Sequence, residues 1–239
     1  MDRCVKNFLD TALYQELKRV PEITIISYLS DQPNFQDVYG GDDVDFYPSI
    51  RIRKGLRWRV YNLSELIRLF GFFFRWRNEG MRHHWSGKTK YKHTEDYVPR
   101  DKYRPRMLRY YLLSVLGFMG SNLSAHKLIN YVLGNWMYSN PQLDDFFQRE
   151  RPKTYIATAN RTDQEKILSH HARKYGLNTI LIPDSWDNFI PDGFLFHEFD
   201  RFCLWGPRQR GQIKKYHDVP DHKLIEIGVP LYRQFEQLL

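Results

Sequence analysis

The regular alternation of short apolar segments with helical segments after Pro152 constrains the fold more than any other feature. Strands are predicted at residues 154–158, 179–182, 202–205 and 224–227, because each is a short run rich in β-branched or aromatic residues. Strands that alternate with helices at this spacing are typical of α/β proteins. The second half of the chain is therefore predicted to form a parallel sheet of the Rossmann-like kind.

Helix signals stand between these strands. Thr162 and Glu165 have the spacing of a capping box at the start of a helix, and Gly176 stands where that helix should end. Pro207 suits the first turn of a second helix, which is predicted to run through Tyr216. Both signals support the same strand–helix order.

The first half of the chain is less regular. An amphipathic helix is predicted over residues 5–19, a strand over 22–29, and then a loop containing Gly40, Gly41, Asp42, Asp43 and Asp45. A helix capped by Asn62 or Ser64 follows, then a mobile loop over 80–106 and helices over 106–119 and 125–138. We therefore expect three parts: residues 1–50 and 151–239 as the two parts of a Rossmann-like domain, and residues 51–150 as a basic, aromatic helical insertion.

Positive charge is concentrated in that insertion. Residues 51–109 contain 17 Lys and Arg against five Asp and Glu, a net charge of +12, whereas the whole chain carries +8. Such a segment attracts an anionic partner. The histidines do not predict a metal site, because His83-His84 and His170-His171 are adjacent pairs that do not share a helix face.

Cysteine use and apolar runs indicate the compartment. The two cysteines, Cys4 and Cys203, are far apart in sequence, which argues against a disulfide framework and fits a reducing compartment. The chain opens without a basic segment followed by an apolar one, and its apolar runs are shorter than the roughly 20 residues that span a bilayer. We expect a cytoplasmic protein, located at the inner face of the cell membrane if its basic segment binds lipid.

Polar and glycine residues follow each predicted strand of the second half. They are Asn160 and Arg161 after the first, Asp184, Ser185, Trp186, Asp187, Asn188 and Gly193 after the second, Gly206 and Gln209 after the third, and Gly228 after the fourth. Ligands of open parallel sheets bind beyond the carboxyl ends of the strands. These residues therefore predict a polar pocket.

Two interpretations of the central run are open. Asp184 or Asp187 can deprotonate a hydroxyl group as a general base. Alternatively, Asp184 and Asn188 only cap a turn or a helix, as such residues commonly do. Trp186 either stacks on a sugar or base, or packs beneath the loop.

A family resemblance is carried by the same residues. The run IPDSWDN at 182–188, Gly193, LWGPRQ at 204–209 and GVP at 228–230 resembles, in this order, a family of bacterial surface-carbohydrate glycosyltransferases. That family has the two-Rossmann-domain (GT-B) fold and is related to CDP-glycerol glycerophosphotransferases and UDP-GlcNAc 2-epimerases. The match covers residues 152–230, and it departs from the family at Leu231-Tyr232-Arg233, where an acid often stands.

The resemblance implies one half of a GT-B architecture. This chain would be the N-terminal, acceptor-side domain of a glycosyltransferase in surface polysaccharide or glycolipid synthesis, with Asp187 or Asp184 as the base. Asn160, Arg161, Ser185, Trp186, Asn188, Gly193, Gly206, Gln209 and Gly228 would contact substrate. The nucleotide-sugar donor would be bound mainly by a C-terminal domain that the family starts where this chain stops, and no other cofactor is expected.

Other partners and functions stay open. A glycerophosphotransferase-type reaction on the same fold is one alternative, and a non-catalytic module that binds anionic lipid or nucleic acid is another. A membrane or acceptor patch is predicted at Arg57, Trp58, Arg59, Arg68, Phe72, Phe73, Arg75, Trp76 and Arg77. The aromatic residues of that patch can equally pack inward while the arginines face water, and nucleic acid is disfavoured because no nucleic-acid-binding motif accompanies the charge.

Overall fold

The computed structural model of the chain describes residues 9–20, 22–50, 55–76, 128, 131–132, 134–158, 162–184, 189, 195 and 199–229. The chain divides into two compact units. The first, which we call the α/β unit, comprises Met1–Arg53, Asn140–Asn188 and Phe196–Leu239. The second, which we call the inserted unit, comprises Lys54–Ser139 and Phe189–Leu195.

Two parallel sheets form the framework of the α/β unit. Strands β1 (Ile23–Ile26) and β2 (Val44–Tyr47) pair in parallel. Strands β3 (Thr154–Ala157), β4 (Asn178–Leu181), β5 (Arg201–Leu204) and β6 (Leu224–Glu226) form a four-stranded parallel sheet in chain order. The prediction of an α/β protein with a parallel sheet is confirmed, and this arrangement is compatible with a Rossmann-like domain.

Six α-helices are described in these ranges. They are α1 (Ala12–Leu17), α2 (Pro33–Tyr39), α3 (Leu56–Trp76), α4 (Pro141–Glu150), α5 (Asp163–Lys174) and α6 (Pro207–His217). Helix α3 belongs to the inserted unit and the others to the α/β unit. Residues 134–137 of the inserted unit are also helical, and a short 3-10 turn, Asp221–Lys223, precedes β6.

Helix α5 begins and ends where its sequence signals predict. The Thr162 side chain accepts the Glu165 backbone N–H, and the Glu165 carboxylate accepts the Thr162 backbone N–H, which completes the capping box. Gly176, just past the end of α5, has a φ of +71°, a conformation that glycine adopts without steric cost. Helix α5 joins β3 to β4 and contacts both strands. Its residues Ile167 and Ala172 are buried, so its apolar face lies against the sheet.

Burial alternates along β5 of the four-stranded sheet. Phe202 and Leu204 of β5 are buried, whereas Cys203 between them is only half-buried. Burial raises the pKa of the Cys203 thiol. Ile213 of α6 is fully buried, and α6 packs on β5 and β6 as a crossover helix should.

Several predictions for the first half were wrong in their boundaries. The predicted loop containing Asp42, Asp43 and Asp45 is interrupted by β2, which starts at Val44. Helix α2 was not predicted, although Pro33 at its first turn is a usual start signal. Within the described residues the predicted helix over 5–19 is α1, and the predicted strand over 22–29 is the shorter β1.

The start of α3 also differs from its prediction. The helix begins at Leu56, so neither Asn62 nor Ser64 is its N-cap. The Asn62 side-chain amide donates to the Trp58 carbonyl, and the Ser64 hydroxyl donates to the Tyr61 carbonyl, both within the helix. The loop predicted over 80–106 and the helix predicted over 106–119 lie outside the described residues. No helix within the described ranges has both the length and the apolar character needed to cross a membrane.

Candidate functional site

The carboxyl ends of the strands in the α/β unit share one edge of the four-stranded sheet. Ala157 of β3 is paired with Leu181 of β4, and Leu204 of β5 with Glu226 of β6. Pairing continues one step beyond the strands, because the Ile182 N–H donates to the Ala157 carbonyl at 2.8 Å. Chain segments that leave these strands therefore start side by side, at about the spacing of neighbouring strands, roughly 4.8 Å.

Asp184 is buried at this edge. It stands three residues beyond the end of β4, and its side chain is 4% exposed. A buried carboxyl group needs hydrogen-bond or charge partners, and Asp184 makes such interactions in the structure. Of the two predicted bases, Asp184 is thus placed by the fold, at the point where a parallel sheet binds ligands.

The turn from β5 into α6 supplies the next part of the edge. The Gln209 side-chain oxygen accepts the Trp205 backbone N–H at 2.7 Å, and Gln209 is buried. This bond closes the turn, so Gln209 holds the local backbone, whatever else it contacts. Gly206 has an extended backbone, and a Cβ added there would meet no atom of the described residues within 4 Å. Among the residues that the structure describes, none fills the space next to the start of α6.

Trp205 is a further candidate site residue, although the sequence predicted it only as the last residue of a strand. Its indole N–H is buried and finds no hydrogen-bond acceptor in the structure as far as it is described. Buried N–H groups without an acceptor are uncommon, because leaving one unpaired costs about 1–3 kcal/mol. The neighbouring motif predicts the location of this residue, but only the fold reveals the unsatisfied donor.

Gly228 follows β6 at the same edge. Its φ is +76°, in the left-handed region, where a side chain would be strained. This conformation gives Gly228 a structural reason to be glycine. A role in ligand contact is a separate prediction.

The other predicted site residues lie outside the described residues. They are Asn160, Arg161, Ser185, Trp186, Asp187, Asn188 and Gly193. Their proposed roles in substrate contact and in catalysis stay predictions.

The two-stranded sheet reaches the same region through Gln164, a residue that sequence reasoning missed. Gln164 lies in the first turn of α5, where its side-chain amide donates to the Ile26 carbonyl and its oxygen accepts the Ile50 N–H, both at 3.2 Å. These bonds fix the segments that follow β1 and β2 beside the start of α5. Asp31 and Ser49, joined by a 2.8 Å hydrogen bond, lie in those two segments.

The predicted basic patch on α3 is only partly exposed. Arg59 is exposed and Trp58 half-buried, and the half-buried Arg57 donates to the Ser139 carbonyl at 2.8 Å. Arg68 is 6% exposed and forms a hydrogen-bonded ion pair with Glu65, and Phe72 is fully buried. The inclusion of Arg68 and Phe72 in a surface patch was therefore wrong. Their burial comes from packing, which charge counting does not detect.

Phe73, Arg75 and Trp76 belong to α3, and Arg77 lies outside the described residues.

Two surface clefts lie at the opposite, amino edge of the four-stranded sheet. One, of about 440 Å³, is lined by Arg173, Asn178, Asp200 and Lys223 among others, and another, of about 500 Å³, by Phe147, Arg151 and Tyr175 among others. In the first cleft the Asp200 carboxylate is held by Thr179 and the Lys223 ammonium by the Phe199 carbonyl. Because open parallel sheets bind ligands at the carboxyl edge, we place the candidate site there and not in these clefts.

A scan against protein-family models found no match, and neither did searches of curated proteins and of solved structures. Among the described residues, no three His, Cys, Asp or Glu side chains come together as metal ligands. The function must therefore be argued from the site itself.

Proposed function

We propose that this chain is the N-terminal, acceptor-side half of a nucleotide-sugar-dependent glycosyltransferase with the two-Rossmann-domain fold. The observation that carries the proposal is the buried carboxyl group of Asp184 at the carboxyl end of β4, within the run 182–188 that resembles such enzymes. A parallel sheet whose loops gather at this edge supports it. The acceptor would be a carbohydrate or a lipid-linked sugar of a surface polysaccharide.

The proposed chemistry is the transfer of a sugar to an acceptor hydroxyl group. Asp184 or Asp187 removes the proton from that hydroxyl, whose oxygen forms a bond to the anomeric carbon of the donor sugar. The bond between that carbon and the nucleoside diphosphate breaks, and the diphosphate leaves with the electron pair. A second Rossmann domain would hold the donor nucleotide, so the residues of this chain act on the acceptor.

The open space at Gly206 offers a sharp test of the site. Gly206→Thr should fold normally, because the backbone there is extended, a Cβ meets no atom of the described part of the chain, and threonine is a good residue before a helix. If acceptor binds beside the start of α6, the added side chain should lower transfer by the full natural protein about tenfold or more. Gly55→Thr, which also precedes a helix and fills open space, is the matched control.

The catalytic assignment is tested by two isosteric substitutions. Asp184→Asn and Asp187→Asn should be assayed for transfer by the full natural protein, with folding checked by circular dichroism. The variant that lacks the base should lose about 10²–10⁴-fold in rate. Asp218→Asn, at the left-handed residue after α6 where asparagine is well tolerated, is the control. Normal turnover in both site variants would refute the assignment.

An assay with several donor substrates separates this proposal from the glycerophosphotransferase alternative. UDP-sugars and CDP-glycerol are offered in parallel, and release of the nucleotide is measured with and without acceptor. Turnover of CDP-glycerol alone would place the chain with the glycerophosphotransferases. Turnover of neither would remove the transferase proposal.

A further inference from the structure

Four exposed apolar residues stand among the described residues between Leu128 and Tyr138 of the inserted unit. Its helical residues Leu128, Tyr131, Val132 and Trp136 are 62%, 83%, 61% and 45% exposed. Their spacing of three, four and eight residues places them on one side of a helix. We call these four residues the exposed apolar face.

The opposite side of this segment is anchored on α3. The Tyr138 ring meets the Tyr61 ring edge to face at 5.8 Å between centroids, and the Ser64 hydroxyl lies 3.8 Å from the Met137 sulfur. Met137, Tyr138 and Tyr61 are each 1% exposed. Apolar residues thus stand on the packed side of the segment, and four more are exposed on its outward side, where a cluster of exposed apolar side chains is expected to be covered by a partner surface.

The composition of the exposed apolar face indicates the kind of surface that covers it. It combines two aliphatic side chains with Trp136 and Tyr131, the residue types that concentrate at the boundary between lipid tails and headgroups. No charged side chain stands among the four residues of the face.

The positive charge of the inserted unit favours an anionic partner surface. The two segments of the inserted unit, residues 54–139 and 189–195, contain 16 Lys and Arg against six Asp and Glu, a net charge of +10. A second copy of the unit would carry the same charge and be repelled, whereas anionic lipid headgroups would be attracted. Apolar burial and electrostatic attraction together are the two contributions that hold a helix in the plane of a bilayer surface.

We infer that the inserted unit docks on an anionic membrane surface through the exposed apolar face, Leu128, Tyr131, Val132 and Trp136. The helix lies in the plane of the bilayer, its apolar side chains enter the headgroup boundary, and the net positive charge of the unit draws it to anionic headgroups. This differs from the patch expected on α3, part of which is buried. The inference does not depend on the proposed transfer reaction.

The test is flotation of the full chain with lipid vesicles. Wild-type protein should float with vesicles of phosphatidylcholine and phosphatidylglycerol at about 7:3 and much less with pure phosphatidylcholine, and salt should weaken the binding. The quadruple variant L128Q/Y131Q/V132Q/W136Q should lose binding by about tenfold or more, because the apolar burial is removed while the net charge is kept. The matched control is V20Q/V38Q/I225Q, which replaces exposed apolar residues of the α/β unit.

A second measurement reports on Trp136 directly. Brominated lipid should quench tryptophan fluorescence of the wild type, and Trp136→Phe, which keeps the face apolar, should bind equally but be quenched less. The inference is overturned if the quadruple variant floats like the wild type, or if the wild type ignores anionic vesicles. It is also overturned if sedimentation shows a wild-type dimer that the quadruple variant dissociates without any effect of vesicles, since the face would then belong to a second copy.

Discussion

Asp200 joins the amino ends of β4 and β5 with one carboxylate. The Thr179 backbone N–H and hydroxyl both donate to the same oxygen of Asp200 at 2.8 Å. The backbone hydrogen bond from Thr179 is the main reason that the pKa of Asp200 lies below its ordinary value, although desolvation acts in the other direction. The hydrogen bonds from Thr179 therefore stabilise the ionised form of Asp200.

Replacing this carboxylate should destabilise the fold in a pH-dependent way. Asp200→Asn should lower the free energy of unfolding at pH 7 by about 1 kcal/mol, a modest value because the side chain is exposed and screened. Since the folded pKa is depressed, the stabilisation is present above the ordinary pKa of 3.8 and lost as the pH falls through the folded pKa. Urea unfolding should show a larger difference between the wild type and the variant at pH 7 than at pH 3, and an equal difference at both would contradict this prediction.

His170 gives a second pH dependence at the scale of one residue. Burial, and then the nearby His171, lower the pKa of His170 from 6.5 to about 4. Because the unfolded chain binds the proton more readily, the stability contributed by neutral His170 is present above pH 6.5 and is lost as the pH falls toward 4. His170→Gln should flatten the decline in stability measured by urea unfolding across that range. The exposed His222→Gln should decline in parallel with the wild type.

At the scale of elements, α5 depends on its capping box. Thr162→Ala removes the side-chain oxygen that accepts the Glu165 N–H, and should cost about 1 kcal/mol of unfolding free energy. Thr162→Ser keeps an oxygen in the same position and should stay close to the wild type. Thermal or urea unfolding measures both. Equal losses in the two variants would show that the methyl group, and not the cap, matters.

The elements that could be predicted are those whose signals are local. Thr162, Glu165 and Gly176 act within a few residues of one another, so the sequence alone indicates where α5 starts and ends. Strand β2 could not be found in this way, because Asp43 and Asp45 resemble a loop. It forms because it pairs with β1 and because Phe46 packs edge to face on Phe35.

The candidate site, too, could be predicted only in the parts that depend on local sequence signals. The edge that carries Asp184 and Gly206 follows from strand order, which sequence periodicity predicts. The burial of the Trp205 indole N–H, for which the described residues offer no acceptor, and the link made by Gln164 depend on packing between segments far apart in sequence, and no local pattern encodes them. For the same reason Arg68 was predicted as surface charge but lies buried beside Glu65.

At the scale of the whole molecule, the α/β unit consists of segments that are far apart in sequence but contact one another. The Tyr47 hydroxyl, at the end of β2, donates to the Gln142 carbonyl in α4 at 3.0 Å, and the Tyr47 ring lies 4.7 Å from the Phe146 ring. All strands described in the structure lie in this unit. The chain thus leaves and re-enters the α/β unit at segments that touch.

This arrangement predicts that the α/β unit folds without most of the inserted unit. Replacing residues 54–139 with a flexible Gly-Ser linker of about eight residues, which reaches roughly 15 Å, should leave a cooperatively unfolding protein with mixed helix and strand content by circular dichroism. The pH dependence assigned to His170 should persist, because His170 and the groups that lower its pKa lie in the retained unit. The shortened chain should also fail to float with anionic vesicles. A molten or aggregated product would mean that the inserted unit is needed to complete the core of the α/β unit.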